Sequence, residues 1–255
     1  MSASARIETT GVELLGCRID ALDMEGTVRR CERFIAERSG AHQVSVNAAK
    51  LVALRSDSHL REIVTASPLV SADGQSVVWA ARLLGRPLPG RVAGIDLMYR
   101  LLELAERKGY RVYFLGARAE ILARAVERLR ALHPNLMVAG SRDGYFSDDE
   151  SDVIAAGIRE AEPDILFVGM SSPRKEYWVA EHAEDLGVPF VMGVGGALDV
   201  VAGTTRRAPR WAQRIGMEWF VRFLQEPRRL FGRYARTNSI FVWLVARELV
   251  RKGNT

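Results

Sequence analysis

The sequence predicts an α/β protein: a doubly wound, mainly parallel sheet with helices on both faces, followed by a basic helical C-terminal appendage. Three observations carry this. Short apolar runs alternate with segments of apolar residues at helical spacing, the rhythm of successive βαβ units. Turn-forming residues (Asn47, Asp73-Gly74, Gly116, Gly169) stand at the carboxyl ends of the short runs. After Gly203 the rhythm stops, and Arg, Pro and aromatic residues take over. The expected division is an α/β body over 1–205 and an appendage over 206–255. A chain of 255 residues, 48% hydrophobic and 26% charged, has the length and composition to bury one large core with an addition.

In order along the chain, Val12 to Ile19 is a short apolar segment, and Asp23 caps a helix expected to reach about Arg38. Gln43 to Val46 reads as a strand ending at Asn47, with helical spacing from Ala48 to Arg55 and again from Leu60 to Thr65. Pro68 opens the strand that the sequence marks as central, Ser67 to Ala72, and Gln75 to Ala81 is the helix after it. Leu97–Arg107 and Ala119–Leu132 are helices around a strand, Tyr110–Leu115; His133-Pro134 stops the second helix. Leu136–Ala139 is the next strand. Ser147-Asp148-Asp149-Glu150 is a capping box opening a helix to Glu160. Asp164–Val168 and Val188–Val194 are strands flanking a helix, Arg174–Asp185.

The net charge of +5 conceals an asymmetry. Residues 206–255 hold 12 Lys and Arg against 3 acids, a net of +9, so the body before them is slightly acidic. Such a tail suits a polyanion: lipid headgroups, a phosphorylated substrate or nucleic acid. Met217–Leu224 and Asn238–Val250 interleave apolar and basic residues at helical spacing, with Trp and Phe among them. That pattern fits an interfacial membrane helix, and equally a helical hairpin packed on the body. Cys17 and Cys31 make no disulfide framework, which points to a reduced, cytosolic compartment. The first ten residues are not a secretory signal, and no apolar run nears the roughly 20 residues that span a bilayer. There is no Walker A, GxSxG or HExxH motif, and the four histidines lack metal-ligand spacing. Hydrolase, ATPase and metalloenzyme readings lose ground accordingly; no metal and no cofactor are expected.

A parallel sheet gathers its post-strand loops at one edge, where ligands bind in open α/β folds. Those loops carry Ser45 and Asn47, Asp73 and Gly74, Gly116, Asp143-Gly144-Tyr145, Gly169 to Glu176, and Gly193 to Asp199. Asp73 suits a general base, or a turn and helix cap; Arg91 suits an anion ligand, or a surface cation. Gly195 and Gly196 would let backbone amides approach a diphosphate. Gly193-Val194-Gly195-Gly196 is not GxGxxG, and no such motif occurs early, which argues against a nicotinamide enzyme. Asp199 would accept from a ribose hydroxyl or cap a helix, and Tyr145 would stack on a base or cover its loop.

Taken together these pieces resemble the WecG/TagA/CpsF glycosyltransferase family. The matching segments run in family order: Asn47-Ala48, Ala72-Asp73-Gly74, Arg91 to Asp96, Phe114-Leu115-Gly116, Gly144-Tyr145-Phe146, Pro163 to Leu166, Pro173-Arg174-Lys175-Glu176, Gly193 to Gly196, Asp199 to Gly203, Arg207-Ala208-Pro209, Glu218-Trp219, and Glu226-Pro227-Arg228-Arg229. They span about Val12 to Tyr234.

The resemblance implies an inverting, metal-independent transfer of a hexose-type sugar from a UDP-sugar donor to a polyprenyl-diphosphate-linked acceptor, in exopolysaccharide or cell-envelope polymer synthesis. It implies a peripheral protein at the cytoplasmic face of the inner membrane. Asp73 would be the general base, with Asn47, Ser45 and Arg91 lining the pocket and Tyr145 and Asp199 on the uridine. The appendage would meet an anionic membrane surface and bring Arg222, Arg229 and Arg233 over the site. Ser45 stands where Thr is common, and Lys175 where Gln is usual. An ammonium touching sugar or diphosphate would change the preference, toward a carboxylated sugar or another hexose. Nucleic acid is not an expected partner; the alternative function is a non-catalytic polyanion-binding module using the basic tail. The exposed apolar surface could equally form the contact of a homo-oligomer.

Overall fold

The computed structural model describes residues 11–209, 211–212, 217–225 and 227–253, with the side chains of 219, 222, 224–225, 227–236 and 252–253 outside that description. The chain opens with an antiparallel hairpin, β1 (Gly11–Leu14) and β2 (Cys17–Asp20). Leu15 and Gly16 join them at φ +53° and +80°, the left-handed pair of a two-residue hairpin turn. The sequence pattern merged the two strands into one apolar segment, because Leu-Gly is not a usual turn pair. α1 (Met24–Ala36) follows, its N-cap Asp23 accepting from the Gly26 amide at 2.7 Å.

Six strands alternate with helices: β3 (Ala41–Val46), α2 (Ala48–Ala53), α3 (Ser58–Ala66), β4 (Leu69–Ala72), α4 (Gln75–Leu83), α5 (Gly94–Lys108), β5 (Arg111–Gly116), α6 (Ala119–Leu132) and β6 (Met137–Arg142). α7 (Ser151–Glu160) is entered through a short 3-10 turn at Asp148–Glu150, where Ser147 and Glu150 form the reciprocal capping box. Then come β7 (Ile165–Gly169), α8 (Arg174–Glu181), β8 (Phe190–Gly193), α9 (Ala197–Val201), α10 (Glu218–Gln225) and α11 (Pro227–Gly253).

The six strands β3 to β8 form one sheet of order β4-β3-β8-β7-β5-β6, every pairing parallel. The doubly wound α/β class holds. The strand opened by Pro68 is not central: β4 is the sheet's edge. That placement suits a proline at its entry, since proline cannot donate to a ladder. Its outer side is not bare, because Asp20 on β2 accepts the Val70 amide at 2.8 Å. The hairpin thereby blunts the edge.

The strands are apolar on both faces because both are covered. Phe114 and Phe167 join a cluster under α1, α5, α6 and α9, while Leu115 and Val168 pack under α7 and α8. Val46, Val70 and Ala72 face α2, α4 and the hairpin, and Phe241, Leu244 and Val245 of α11 are buried in the same cluster. Arg86 fastens this corner, donating to the Glu13 carbonyl at 2.8 Å and to Glu248 at 2.6 Å. The later part of α11 therefore packs on the body, while Val242 and Trp243 face outward. No helix among the described residues is long and apolar enough to cross a membrane.

Phe241→Ala should lower unfolding stability by about 3–5 kcal/mol, the cost of emptying an aromatic core site. Asp20→Ala, which strands a buried amide, should cost about 1–3 kcal/mol. Both are read by denaturant unfolding.

Candidate active site

All six parallel strands end at one edge, and that edge collects the loops. At the end of β4, the Asp73 amide donates to the Val46 carbonyl at 2.9 Å, continuing the β3–β4 ladder. The half-buried Asp73 carboxylate accepts from the Gly94 amide at 3.1 Å through Oδ1. Gly94 is the first residue of α5, so the carboxylate sits at the positive end of a 15-residue helix. The N-cap of α4, the helix after Asp73, is Gly74; the Asp73 carboxylate bonds the first residue of α5, and that bond holds its oxygen at the sheet edge. Asn47 caps α2, accepting from the Lys50 amide at 3.0 Å. A Cβ on Gly74 would lie 3.2 Å from that of Asn47, so the two turns touch. A Cβ on Gly94 would lie 3.5 Å from the Ser45 hydroxyl, which itself accepts from Gln43. Arg91 joins the group through its neighbour, Val92, whose amide bonds the Ala72 carbonyl at 2.8 Å. Asp73, Asn47, Ser45 and Arg91 therefore lie together at the ends of β3 and β4.

The Arg91 guanidinium is already engaged, 2.7 Å from Glu218 at the start of α10. Arg207 reaches the same carboxylate at 3.9 Å and Asp96 at 2.7 Å. Glu218 thus binds the C-terminal segment to the loop that carries Arg91. The side chains of Arg222, Arg229 and Arg233 lie outside the described residues.

Farther along the edge, the loops after β5, β6 and β7 meet backbone to backbone. Gly116 has φ +132°, and a Cβ there would fall 2.4 Å from the Gly169 carbonyl carbon, so only glycine fits. Gly195 continues the row, its amide 3.3 Å from the Val168 carbonyl; Gly196, exposed, is the N-cap of α9. Asp199 lies within α9, half-buried, and its carboxylate makes no hydrogen bond or ion pair among the described residues. Tyr145 is 68% exposed, with the Arg118 guanidinium 5.5 Å from its ring centre. Together with Asp143 and Ala119 they line an open depression. Arg174 of α8 holds this loop from behind, donating to the carbonyls of Gly144 at 3.2 Å and Phe146 at 2.7 Å. Tyr145 belongs to the β5–β6 end of the edge, remote in the strand order from Asp73.

Lys175 takes part in a buried ion triad that connects these regions. Glu176 accepts from Lys50 at 2.6 Å and from Lys175 at 3.0 Å, both on Oε1. Lys50 and Glu176 are almost wholly buried. Burial and the neighbouring Lys175 charge push the Lys50 ammonium down, while Glu176 and Asp73 oppose them. Sequence reasoning missed Lys50 and Arg118, and named Arg174 and Glu176 only as parts of a matching segment, without a role. Lys50 left one sign: it sits one turn before the buried Leu54, where an amphipathic helix should be apolar.

Burial by itself would raise the Glu176 carboxyl, but Lys50 and Lys175 outweigh it and hold the group below its usual value of 4.5. A carboxyl lowered in the folded chain stabilises fully above its unfolded value, and that contribution fades as pH falls through the folded one. Stability should therefore drop on acidification below about pH 4.5. Glu176→Gln should start about 3 kcal/mol lower and show a flatter acid limb in urea unfolding from pH 7 to 3.

The chain resembles proteins of known activity along most of its length. Residues 12–255 match the family described as glycosyl transferase WecG/TagA/CpsF. An N-acetylglucosaminyldiphosphoundecaprenol N-acetyl-beta-D-mannosaminyltransferase of Staphylococcus aureus (strain MW2) is 32% identical over 249 residues, 97% of this chain and 96% of that protein. The protein of that name from S. aureus (strain NCTC 8325 / PS 47) matches to the same extent. Its counterpart from Bacillus spizizenii (strain ATCC 23059 / NRRL B-14472 / W23) is 31% identical over 196 residues, 77% of this chain and 76% of that protein. With its loop motifs set along one sheet edge and the match running from hairpin to C-terminus, the chain belongs to the WecG/TagA/CpsF family of glycosyl transferases.

Proposed function

We propose that the protein is an inverting, metal-independent glycosyltransferase. It moves a hexose-type sugar from a UDP-sugar to a polyprenyl-diphosphate-linked glycan acceptor, in exopolysaccharide or cell-envelope polymer synthesis. The observation that carries this reading is the half-buried Asp73 carboxylate, fixed by the Gly94 amide beside Asn47, Ser45 and Arg91. It occurs in a chain similar over 97% of its length to an enzyme named for N-acetylmannosaminyl transfer to a diphosphoundecaprenol-linked acceptor.

In this reading the acceptor hydroxyl oxygen attacks the anomeric carbon opposite the departing UDP. Asp73 takes the hydroxyl proton as the new C–O bond forms. The bond from the anomeric carbon to the diphosphate oxygen breaks, and UDP leaves with the electron pair, inverting the centre. Arg91 and the tail arginines Arg222, Arg229 and Arg233 offset the charge gathering on the diphosphate. The contact of Glu218 with Arg91 supports placing the segment after residue 205 against the pocket. Tyr145 offers an exposed ring for the uracil, Asp199 an acceptor for a ribose hydroxyl, and the backbone at Gly195 and Gly196, bare of side chains, a close approach to the diphosphate. Trp243, exposed and stacked under Arg247 at 5.3 Å, together with the net charge of +9 over residues 206–255, supports a peripheral contact with an anionic membrane.

General base catalysis is worth about 10²–10⁴-fold. Asp73→Asn should lower turnover by that order while UDP still raises the unfolding temperature; unchanged turnover in a folded variant rejects the assignment. UDP release from a panel of UDP-sugars with short polyprenyl-diphosphate acceptors should depend on acceptor and persist in EDTA. Loss of activity in EDTA, restored by a divalent ion, would overturn metal independence.

A further inference from the structure

Gln43 lies in the middle of β3 and is 3% exposed. Its register partners are Leu69 on β4 and Met192 on β8, both wholly buried. Leucine or methionine would suit packing between them, whereas a buried glutamine needs hydrogen bonds to offset its desolvation. It makes two. The side-chain Nε2 donates to the Ser45 hydroxyl oxygen at 3.0 Å and to that of Ser71 at 2.5 Å. Ser45 and Ser71 are themselves register partners, so one amide ties together the outgoing ends of β3 and β4. The Gln43 Oε1 is buried and has no hydrogen-bond partner among the described residues. Turning the amide over would strand two buried donors in place of one acceptor, which sets the nitrogen toward the serines.

A hydroxyl has one hydrogen to give, and Ser45, whose oxygen accepts from Gln43, must send it elsewhere. Ser45 donates to no group among the described residues. Ser71 is buried, whereas Ser45 is half-buried at the end of its strand. The Ser45 oxygen lies 3.5 Å from the place of a Cβ on Gly94, the residue whose amide holds the Asp73 carboxylate. Gln43 is therefore one hydrogen bond removed from the pocket, and any effect it has on a substrate passes through Ser45.

We propose that Gln43 is a positioning residue for sugar transfer, its side-chain amide turning the Ser45 hydroxyl hydrogen toward an oxygen of the substrate held beside Asp73. This rests on the glycosyltransferase reading of the same site. A serine free to rotate would point its hydrogen inward part of the time; held by Gln43, it presents that hydrogen outward before the substrate arrives.

The test compares the unaltered protein with Gln43→Met, Gln43→Glu, Ser45→Ala and the double variant of Gln43→Met with Ser45→Ala. Met keeps the length of the side chain, and Glu keeps its shape while exchanging two donors for an acceptor. Thermal unfolding verifies each fold, and calorimetry measures UDP binding. Both kcat and KM are taken with whichever UDP-sugar supports transfer to a short polyprenyl-diphosphate acceptor. Gln43→Met and Ser45→Ala should each lower kcat about 10-fold, the worth of one oriented hydrogen bond, with UDP affinity within about twofold. Gln43→Glu, which draws the Ser45 hydrogen inward, should lose at least as much. Added to Ser45→Ala, Gln43→Met should lower kcat no further. Unchanged kcat in a folded Gln43→Met protein would overturn the inference. So would losses that multiply in the double variant, the mark of a merely structural glutamine, or a loss confined to UDP affinity. In each of these cases, transfer by the unaltered protein leaves the enzyme reading intact. An unaltered protein that binds no UDP and transfers nothing would overturn both.

Discussion

The constraint on which the site depends is that every pairing within the six-stranded sheet is parallel. Each strand must be followed by a crossover, so all six carboxyl ends, with their turns, face the same way. Loops far apart in sequence then become neighbours. β3 pairs with β8, which sets the turn after Val46 near the end of a strand that closes the body. β5 pairs with β7 so closely at its end that Gly116 lies opposite Gly169. The edge is built of backbone, and the few side chains it carries are those that chemistry can use.

Electrostatics then divides that edge. Around β3 and β4 the carboxylate of Asp73 is steadied by a helix amide, and the cations nearby are each committed to a carboxylate: Lys50 and Lys175 to Glu176, Arg91 to Glu218. Near β5 and β6 the surface is open, with an aromatic ring and a guanidinium presented outward. One half suits charged, geometrically strict chemistry, and the other suits a planar, less demanding contact. The proposed division into sugar transfer at one end and nucleoside binding at the other follows this contrast.

The later part of α11 has two unlike faces. Phe241, Leu244 and Val245 are buried in the same cluster as the hairpin, α2 and α4, while Val242 and Trp243 on the same helix face outward. Its packing agrees with the reading of a helix laid on the body, and the interfacial contact belongs to the proposed function. A helix with one apolar stripe inward and tryptophan beside arginine outward can join a body and also present a surface for lipid headgroups.

What the sequence determined by itself was everything encoded within a few residues. The alternation of periods marked the elements; Asp23, Asn47 and the Ser147–Glu150 box marked helix starts, because a cap bonds an amide two or three positions on. Asp73 was legible as a turn carboxylate, and the ordered motifs identified the family. The tertiary structure decided what depends on long-range pairing. Nothing near Pro68 says that its strand is an edge, since edge and centre differ only in what lies alongside. Nothing near Lys50 announces Glu176, 126 residues away, although a lysine on an apolar stripe hinted at a buried partner. Arg91 reads as an open cation until Glu218, 127 residues on, is folded against it. Local hydrogen bonds leave a signature in spacing; partners joined by the crossovers of a parallel sheet leave none, because the contact exists only once the sheet has ordered its strands.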